Sequence, residues 1–199
     1  LYGVDEAQYA NDAQMYDLIH QMRCRIMQSP AFGGNKVIGA ILFENTMDGE
    51  VAGRPVADFL WHERQIVPFL KVDKGLAEEN KGVQVLKPMP ELDALLIRAK
   101  AANIFGTKMR SIINYANLAG ITDIVGQQFD IASQILSHGL VPIIEPEISI
   151  SSTHKAEAED ILLESLTSHL DSLKSNDKVI LKLTLPETSN QYASLTRHE

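Results

Sequence analysis

The chain has 199 residues, 45% of them hydrophobic, which is ordinary for a protein with a sizeable buried core. Its formal net charge of −8 at pH 7 argues against nucleic acid and anionic membranes as partners. Because Cys24 is the single cysteine and no stretch approaches the roughly 18 apolar residues of a membrane helix, we expect a cytoplasmic protein without internal disulfides.

Apolar segments alternate with segments of helical pattern along the whole chain, which predicts repeated βαβ units around a parallel sheet. The predicted strands are residues 37–43, 66–72, 103–110, 140–147 and 178–185. The predicted helices are residues 5–28, 56–64, 91–101, 111–118, 122–138 and 152–173. Gly120 is expected to break the helical pattern and Gly139 to end it. No shift in composition marks a boundary, so we expect one domain over residues 1–199. A doubly wound sheet and part of a (β/α)8 barrel both fit this pattern.

Lys182 lies in the middle of the fifth predicted strand, between apolar and β-branched neighbours. If that strand is buried on both faces, an ammonium there is costly unless it is paired or becomes neutral. A neutral amine can attack a carbonyl and form a Schiff base. The alternative is a shorter strand, from whose end the lysine reaches solvent.

Charged residues recur at the carboxyl ends of the apolar strands. Three of these ends carry Lys71 and Asp73, Lys108 and Arg110, and Glu145 and Glu147, while Lys182 lies inside the last predicted strand. Because side chains alternate along a strand, the members of each i, i+2 pair point the same way. In a barrel they would meet at the C-terminal face, where the active sites of that fold lie. Any single pair could also be the solvated start of a loop.

The sequence does not contain the motifs of a metal site, a glycine-rich phosphate loop or a serine hydrolase. The six histidines are scattered and show no metal-ligand spacing, so no metal site is predicted. Glycine-rich phosphate loops and the G-x-S-x-G motif are absent from the sequence, and no cofactor is predicted.

Five segments together resemble the bacterial form of class I fructose-1,6-bisphosphate aldolase, and the similarity runs essentially from end to end. The segments are GAILFE at residues 39–44, PFLKVDKG at 68–75, FGTKMR at 105–110, GLVPIIEPE at 139–147 and LKLTLP at 181–186. The KVDKG and VPIIEPE segments are highly specific in this order before a strand that carries a lysine, whereas either one alone would be weak.

The resemblance implies a (β/α)8 barrel that reversibly cleaves fructose 1,6-bisphosphate to dihydroxyacetone phosphate and glyceraldehyde 3-phosphate without a metal. Each predicted site residue matches a position of the family. Lys182 matches the Schiff-base lysine, Glu145 the proton-transferring glutamate, Glu147 its neighbouring carboxylate, Lys108 and Arg110 the cationic pair beside the imine, and Lys71 and Asp73 the strand bordering the phosphate-binding side.

The length of the chain departs from the family. A full barrel takes about 250 residues, and this chain supplies strands that resemble the second to the sixth. The chain also begins at Leu1 and ends at Glu199 within a helical pattern. We therefore expect a fragment of an aldolase, unstable or inactive alone because its sheet edges would be uncovered.

Three other interpretations stay open. The first is another Schiff-base lyase of the deoxyribose-phosphate aldolase or transaldolase kind, which gives no reason for the Glu145-Pro146-Glu147 turn. The second is a non-catalytic module whose cations hold a phosphate. The third is a complete, open-sheet, flavodoxin-like domain.

Overall fold

The computed structural model describes residues 5–198, which cluster into two compact units. Of the described residues, the first unit contains 5–71 with Ile97–Gly106, and the second contains Val72–Leu96 with 107–198. The strands are β1 (Gly39–Leu42), β2 (Glu50–Val51), β3 (Arg54–Pro55), β4 (Val67–Lys71), β5 (Val83–Gln84), β6 (Gly106–Ile113), β7 (Val141–Ile148) and β8 (Ile180–Leu181). The α-helices are α1 (Asp12–Gln28), α2 (Glu44–Met47), α3 (Val56–Phe59), α4 (Leu92–Ala101), α5 (Leu118–Ser137) and α6 (Lys155–Leu170). Within residues 5–198, no helix combines the length and apolar character needed to cross a membrane.

The first unit is built on a pair of parallel strands. β1 and β4 pair with Gly39 opposite Val67 and Leu42 opposite Leu70. The side chains of Leu42 and Leu70 are buried, as expected of apolar strands in a parallel sheet. Helix α1 begins where Asn11 caps it, because the Asn11 side chain accepts a hydrogen bond from a backbone N–H of the first turn.

Cys24 and Trp61 of the first unit both have structural explanations. Burial raises the pKa of the Cys24 thiol, so the thiolate needed for nucleophilic attack is disfavoured. The Trp61 ring packs edge-on against Phe105, and its Nε1 donates a hydrogen bond of 2.7 Å to the carbonyl oxygen of Asn103.

The second unit contains a sheet in the order β6, β7, β8, with β5 antiparallel to β6. β7 and β8 are parallel, with Ile143 opposite Ile180 and Ile144 opposite Leu181. Helix α5 packs on β7 and on α6. The apolar faces of these elements form a core whose fully buried members include Met109, Ile113, Ile121, Ile124, Ile135, Ile144 and Leu166. This arrangement places the carboxyl ends of β6, β7 and β8 side by side.

The predicted alternation of parallel strands and helices is confirmed, but the predictions of a helix at 111–118 and of a helix break at Gly120 are wrong. The helix predicted at 111–118 is absent because residues 111–113 continue β6, whose buried positions alternate up to Ile113. Helix α5 runs without interruption through Gly120, and its N-cap is Asn117, whose side chain accepts the Gly120 N–H. Gly139 does follow the end of α5 in a left-handed conformation, with φ 69°.

Gly120 is required by a close approach between helix and loop. A Cβ at this position would overlap the backbone carbonyl oxygen of Lys81, which cannot move aside as a flexible side chain would. We expect Gly120→Ala to lower the free energy of unfolding by about 1–3 kcal/mol, the usual cost of overpacking. The measurement is the urea midpoint at constant m-value.

Gly126 on the same helix is the matched control. A Cβ there has only the His169 ring nitrogen within reach, at 4.0 Å. Gly126→Ala should raise the free energy of unfolding by about 0.5–1 kcal/mol, because alanine costs less chain entropy than glycine in a helix interior. Equal effects of the two substitutions would contradict the packing argument.

Candidate active site

Glu145 of β7 is the centre of a cluster of charged side chains in the second unit. Its carboxylate is almost completely buried, with 3% of the side chain exposed. One oxygen, Oε1, accepts a hydrogen bond from Nζ of Lys182. The other, Oε2, lies 2.8 Å from Nζ of Lys108. A buried carboxylate is therefore held between two ammonium groups, which offset the cost of removing it from water.

The sheet brings these three residues together from distant parts of the chain. Lys108 is on β6 and Glu145 on β7. The backbone N–H of Lys182 continues the pairing of β8 with β7 by donating to the carbonyl oxygen of Ile144 at 3.0 Å. Because Ile144 lies opposite Leu181, Lys182 is level with Glu145, and the ion pair between Lys108 and Glu145 brings Lys108 to the same place on the sheet.

The structure corrects the prediction that Lys182 lies within a long strand buried on both faces. β8 has two residues, Lys182 follows it, and 53% of the Lys182 side chain is exposed. Beyond Lys182, a side chain takes over the contact with β7. The Thr184 hydroxyl accepts a hydrogen bond from the Ile148 N–H and donates one to the Ile148 carbonyl oxygen. Within residues 5–198, β8 has a strand partner on one edge, so its apolar residues are not enclosed. What the structure provides for the Lys182 ammonium is its ion pair with Glu145.

Arg110 and Glu147 form a second, more open pair one step further along the same two strands. The Nη1 atom of Arg110 lies 3.5 Å from Oε1 of Glu147, and both side chains are partly exposed. Since each is two residues beyond a member of the buried cluster, the pair borders it on the solvent side. The predicted residues of β6 and β7 are thus neighbours in the structure.

Lys71 is the last residue of β4 and Asp73 follows it, but the two residues fall in different units. Asp73 is a buried residue of the second unit, and its neighbour Val72 donates its N–H to the carbonyl oxygen of Lys108 at 3.0 Å. The Asp73 backbone therefore lies beside Lys108, the member of the cluster that β6 supplies. Lys71 belongs to the first unit, where its Nζ lies 5.8 Å from the centre of the Phe43 ring. That distance is within the range of a cation–π contact.

Gln128 is a residue of the site region that sequence reasoning missed. It is fully buried on α5, and its side chain binds both the backbone N–H of Glu145 and the hydroxyl of Ser111. The signal was present in the sequence, because a glutamine occupies a core position of an otherwise apolar helix face. Such a residue needs a partner inside the protein.

The cluster joins an accessible amine to a buried carboxylate, which is the pairing that imine chemistry requires. The amine can be a nucleophile once it loses a proton, and the carboxylate can accept or return that proton. Each cation of the cluster already has a carboxylate partner, which is not typical of a site that holds a phosphate. Among the residues that the structure describes, no group of three or more His, Cys, Asp or Glu side chains could hold a metal ion.

Comparisons with known proteins agree with one another. A family model described as fructose-bisphosphate aldolase class-I matches residues 17–190. The chain is 54% identical over 197 residues to fructose-bisphosphate aldolase class 1 of Synechocystis sp., covering 99% of this chain and 66% of that protein. It is 53% identical to the protein of the same name from Porphyromonas gingivalis, covering 99% of this chain and 67% of that protein. The chain thus spans about two thirds of the length of these curated relatives.

A solved structure with the same fold is fructose-bisphosphate aldolase from Plasmodium falciparum, in a ternary complex with TRAP and a small-molecule inhibitor. The TM-score is 0.66 at 24% sequence identity, over 88% of this chain and 57% of that one. Together with the family match, this likeness confirms the predicted fold class, an incomplete portion of a (β/α)8 barrel.

Proposed function

We propose, since the chain belongs to the class-I fructose-bisphosphate aldolase family, that the protein is a carbon–carbon lyase of glycolysis and gluconeogenesis. In this proposal it reversibly cleaves fructose 1,6-bisphosphate to dihydroxyacetone phosphate and glyceraldehyde 3-phosphate through a Schiff base on Lys182, without a metal. The observation that carries the proposal is the contact of the exposed Lys182 amine with the buried Glu145 carboxylate.

The reaction begins when the Lys182 nitrogen forms a bond to the ketone carbon of the substrate. The carbonyl oxygen leaves as water, and a protonated imine results. The hydroxyl proton on C4 passes to a base as the C3–C4 bond breaks. The bonding electrons move toward the imine nitrogen and leave an enamine. Protonation of the enamine at C3 and hydrolysis then release dihydroxyacetone phosphate and restore the lysine.

Glu145 is the residue we assign to proton transfer, because its buried carboxylate contacts the Lys182 amine. Lys108 holds the second oxygen of that carboxylate and so limits its rotation. Glu147 is assigned as the neighbouring carboxylate, and Arg110 would contact substrate at the more open end. Lys71 and Asp73 would border the phosphate-binding side.

The remaining parts of the proposal concern the protein as a whole. Residues 1–199 would belong to one barrel domain and supply its second to sixth strands. We propose a cytoplasmic protein with a sugar phosphate as its ligand and without nucleic acid or membrane partners. The acidic charge and the single cysteine support this assignment.

The decisive experiment traps the imine. The full-length protein is incubated with dihydroxyacetone phosphate and borohydride, and the product is analysed by intact mass and peptide mapping. We expect a stoichiometric adduct on Lys182. A folded protein without an adduct, or an adduct on Lys108 instead, would contradict the assignment. Competition by deoxyribose 5-phosphate would favour the other kind of Schiff-base lyase.

Glu145→Gln tests the proton-transfer role with little change of shape. The amide keeps the size of the side chain but cannot take up the proton, so kcat should fall on the order of 10²- to 10⁴-fold. The measurement is a coupled assay of fructose 1,6-bisphosphate cleavage. Glu164→Gln on the exposed face of α6 is the matched control and should leave kcat unchanged.

A further inference from the structure

Gln128 stands out among the buried polar residues because its surroundings are apolar. It lies on the face of α5 that also carries Ile121, Ile124, Val125 and Ala132, all of them fully buried. Burying an amide in such a place is unfavourable unless both its ends are hydrogen-bonded. Leucine or methionine would fit the pattern of the helix better. A glutamine at this position therefore indicates a role beyond packing.

Both ends of the amide are hydrogen-bonded to the strands that carry the cluster. Oε1 accepts the backbone N–H of Glu145 at 2.8 Å, and Nε2 donates to Oγ of Ser111. Ser111 follows Arg110 on β6, and Glu145 is on β7. One side chain thus links the two strands from beneath, on the side of the sheet that α5 covers.

The geometry bears on the orientation of Glu145. Its carboxylate is held from one end by Lys108 and Lys182, while Gln128 holds the backbone N–H of the same residue. Loss of the Gln128 contact would leave that buried N–H without its acceptor, and the backbone would have to shift to recover one. A shift of about 1 Å at a reacting group can cost on the order of 100-fold in rate.

We infer that Gln128 is a positioning residue, which sets the backbone of Glu145 so that its carboxylate meets the Lys182 amine. The inference rests on the proposed function, because it names what fixes the geometry of that site. Gln128 does not touch the substrate and acts through Glu145. It therefore influences the chemical step and leaves substrate binding unchanged.

The test is Gln128→Met in the full-length protein, with Gln127→Met as the matched control. Gln127 is the adjacent residue of α5, and it also makes two hydrogen bonds, to the N–H and carbonyl oxygen of Leu86, at 2.8 and 3.0 Å. Both variants lose a bidentate amide from the same helix. They differ in whether the lost contact reaches Glu145.

We expect Gln128→Met to lower kcat for fructose 1,6-bisphosphate on the order of 10- to 100-fold with KM unchanged, and to slow borohydride trapping equally. Gln127→Met should keep wild-type kcat at temperatures where it is folded. If the two variants behave alike after correction for the folded fraction, Gln128 is merely structural and the inference is wrong.

Ser111→Ala decides the matter if Gln128→Met does not fold. This variant removes only the hydroxyl that orients the Gln128 amide, and it should lower kcat in the same sense but less. An unchanged kcat would overturn the inference. If the wild-type protein itself traps no imine, the proposed function fails and the inference fails with it. Trapping by the wild type together with unaffected variants overturns the inference alone.

Discussion

Lys182→Arg is expected to reduce the cleavage of fructose 1,6-bisphosphate on the order of 10⁴-fold or more, which is the usual loss when a covalent nucleophile is removed. Arginine keeps a positive charge that can pair with Glu145, so the fold should be little affected. It stays protonated at any working pH and cannot attack a carbonyl. The measurement is the steady-state rate together with loss of the borohydride adduct.

Lys178→Arg is the control for this substitution. Lys178 precedes β8, is exposed, and has its Nζ near the carbonyl oxygen of Ser175. It should keep the wild-type rate and adduct. Phosphate binding that survives in Lys182→Arg with no turnover in the wild type would favour the non-catalytic module. Turnover that survives in Lys182→Arg would remove the lysine from the mechanism.

Lys155→Met is expected to lower the free energy of unfolding by about 3–5 kcal/mol, the cost of leaving a buried charge without its partner. Lys155 and Glu159 form an ion pair on α6 whose side chains are 8% and 1% exposed. Nζ of Lys155 also donates to the carbonyl oxygen of Leu185 at 2.8 Å. Without the ammonium, the Glu159 carboxylate stays buried, and among the hydrogen bonds of residues 5–198 it keeps the one from the Glu187 N–H. Urea denaturation at neutral pH measures the change.

Two comparisons make the prediction specific to burial. Lys81→Met breaks the exposed pair with Asp123 and should change the free energy of unfolding by less than about 1 kcal/mol. The double variant Lys155→Met with Glu159→Leu should recover much of the loss, because an apolar pair replaces a charge that has no partner. Equal losses for Lys155→Met and Lys81→Met would show that burial is not the cause.

The sequence predicts the first four strands well, because apolar runs of five to eight residues are typical of strands buried in a sheet. It also places Lys108, Glu145 and Lys182 on neighbouring strands of a parallel sheet, whose pairing brings them together. These are properties of local pattern and strand geometry. No long-range information is needed for them.

What the sequence does not show depends on tertiary contacts. The exposure of Lys182 depends on which strands flank β8. An apolar sequence does not distinguish a strand at the edge of a sheet from one in its middle. In the sequence Gly120 resembles a helix breaker. The structure shows instead that a glycine is needed there because the Lys81 backbone lies too close for a Cβ. Gln128 is conspicuous on its helix face, but its partners are distant in the chain and cannot be named from spacing alone.

The buried pair of α6 has a further consequence for the segment after Lys182. Lys155 and Glu159 hold the carbonyl oxygen of Leu185 and the amide of Glu187, so this stretch is fastened to a helix although it has no regular structure of its own. The Glu187 amide should exchange with deuterium only when the first turns of α6 open, far more slowly than a free loop. The segment that follows Lys182 should therefore open as rarely as the first turns of α6 do.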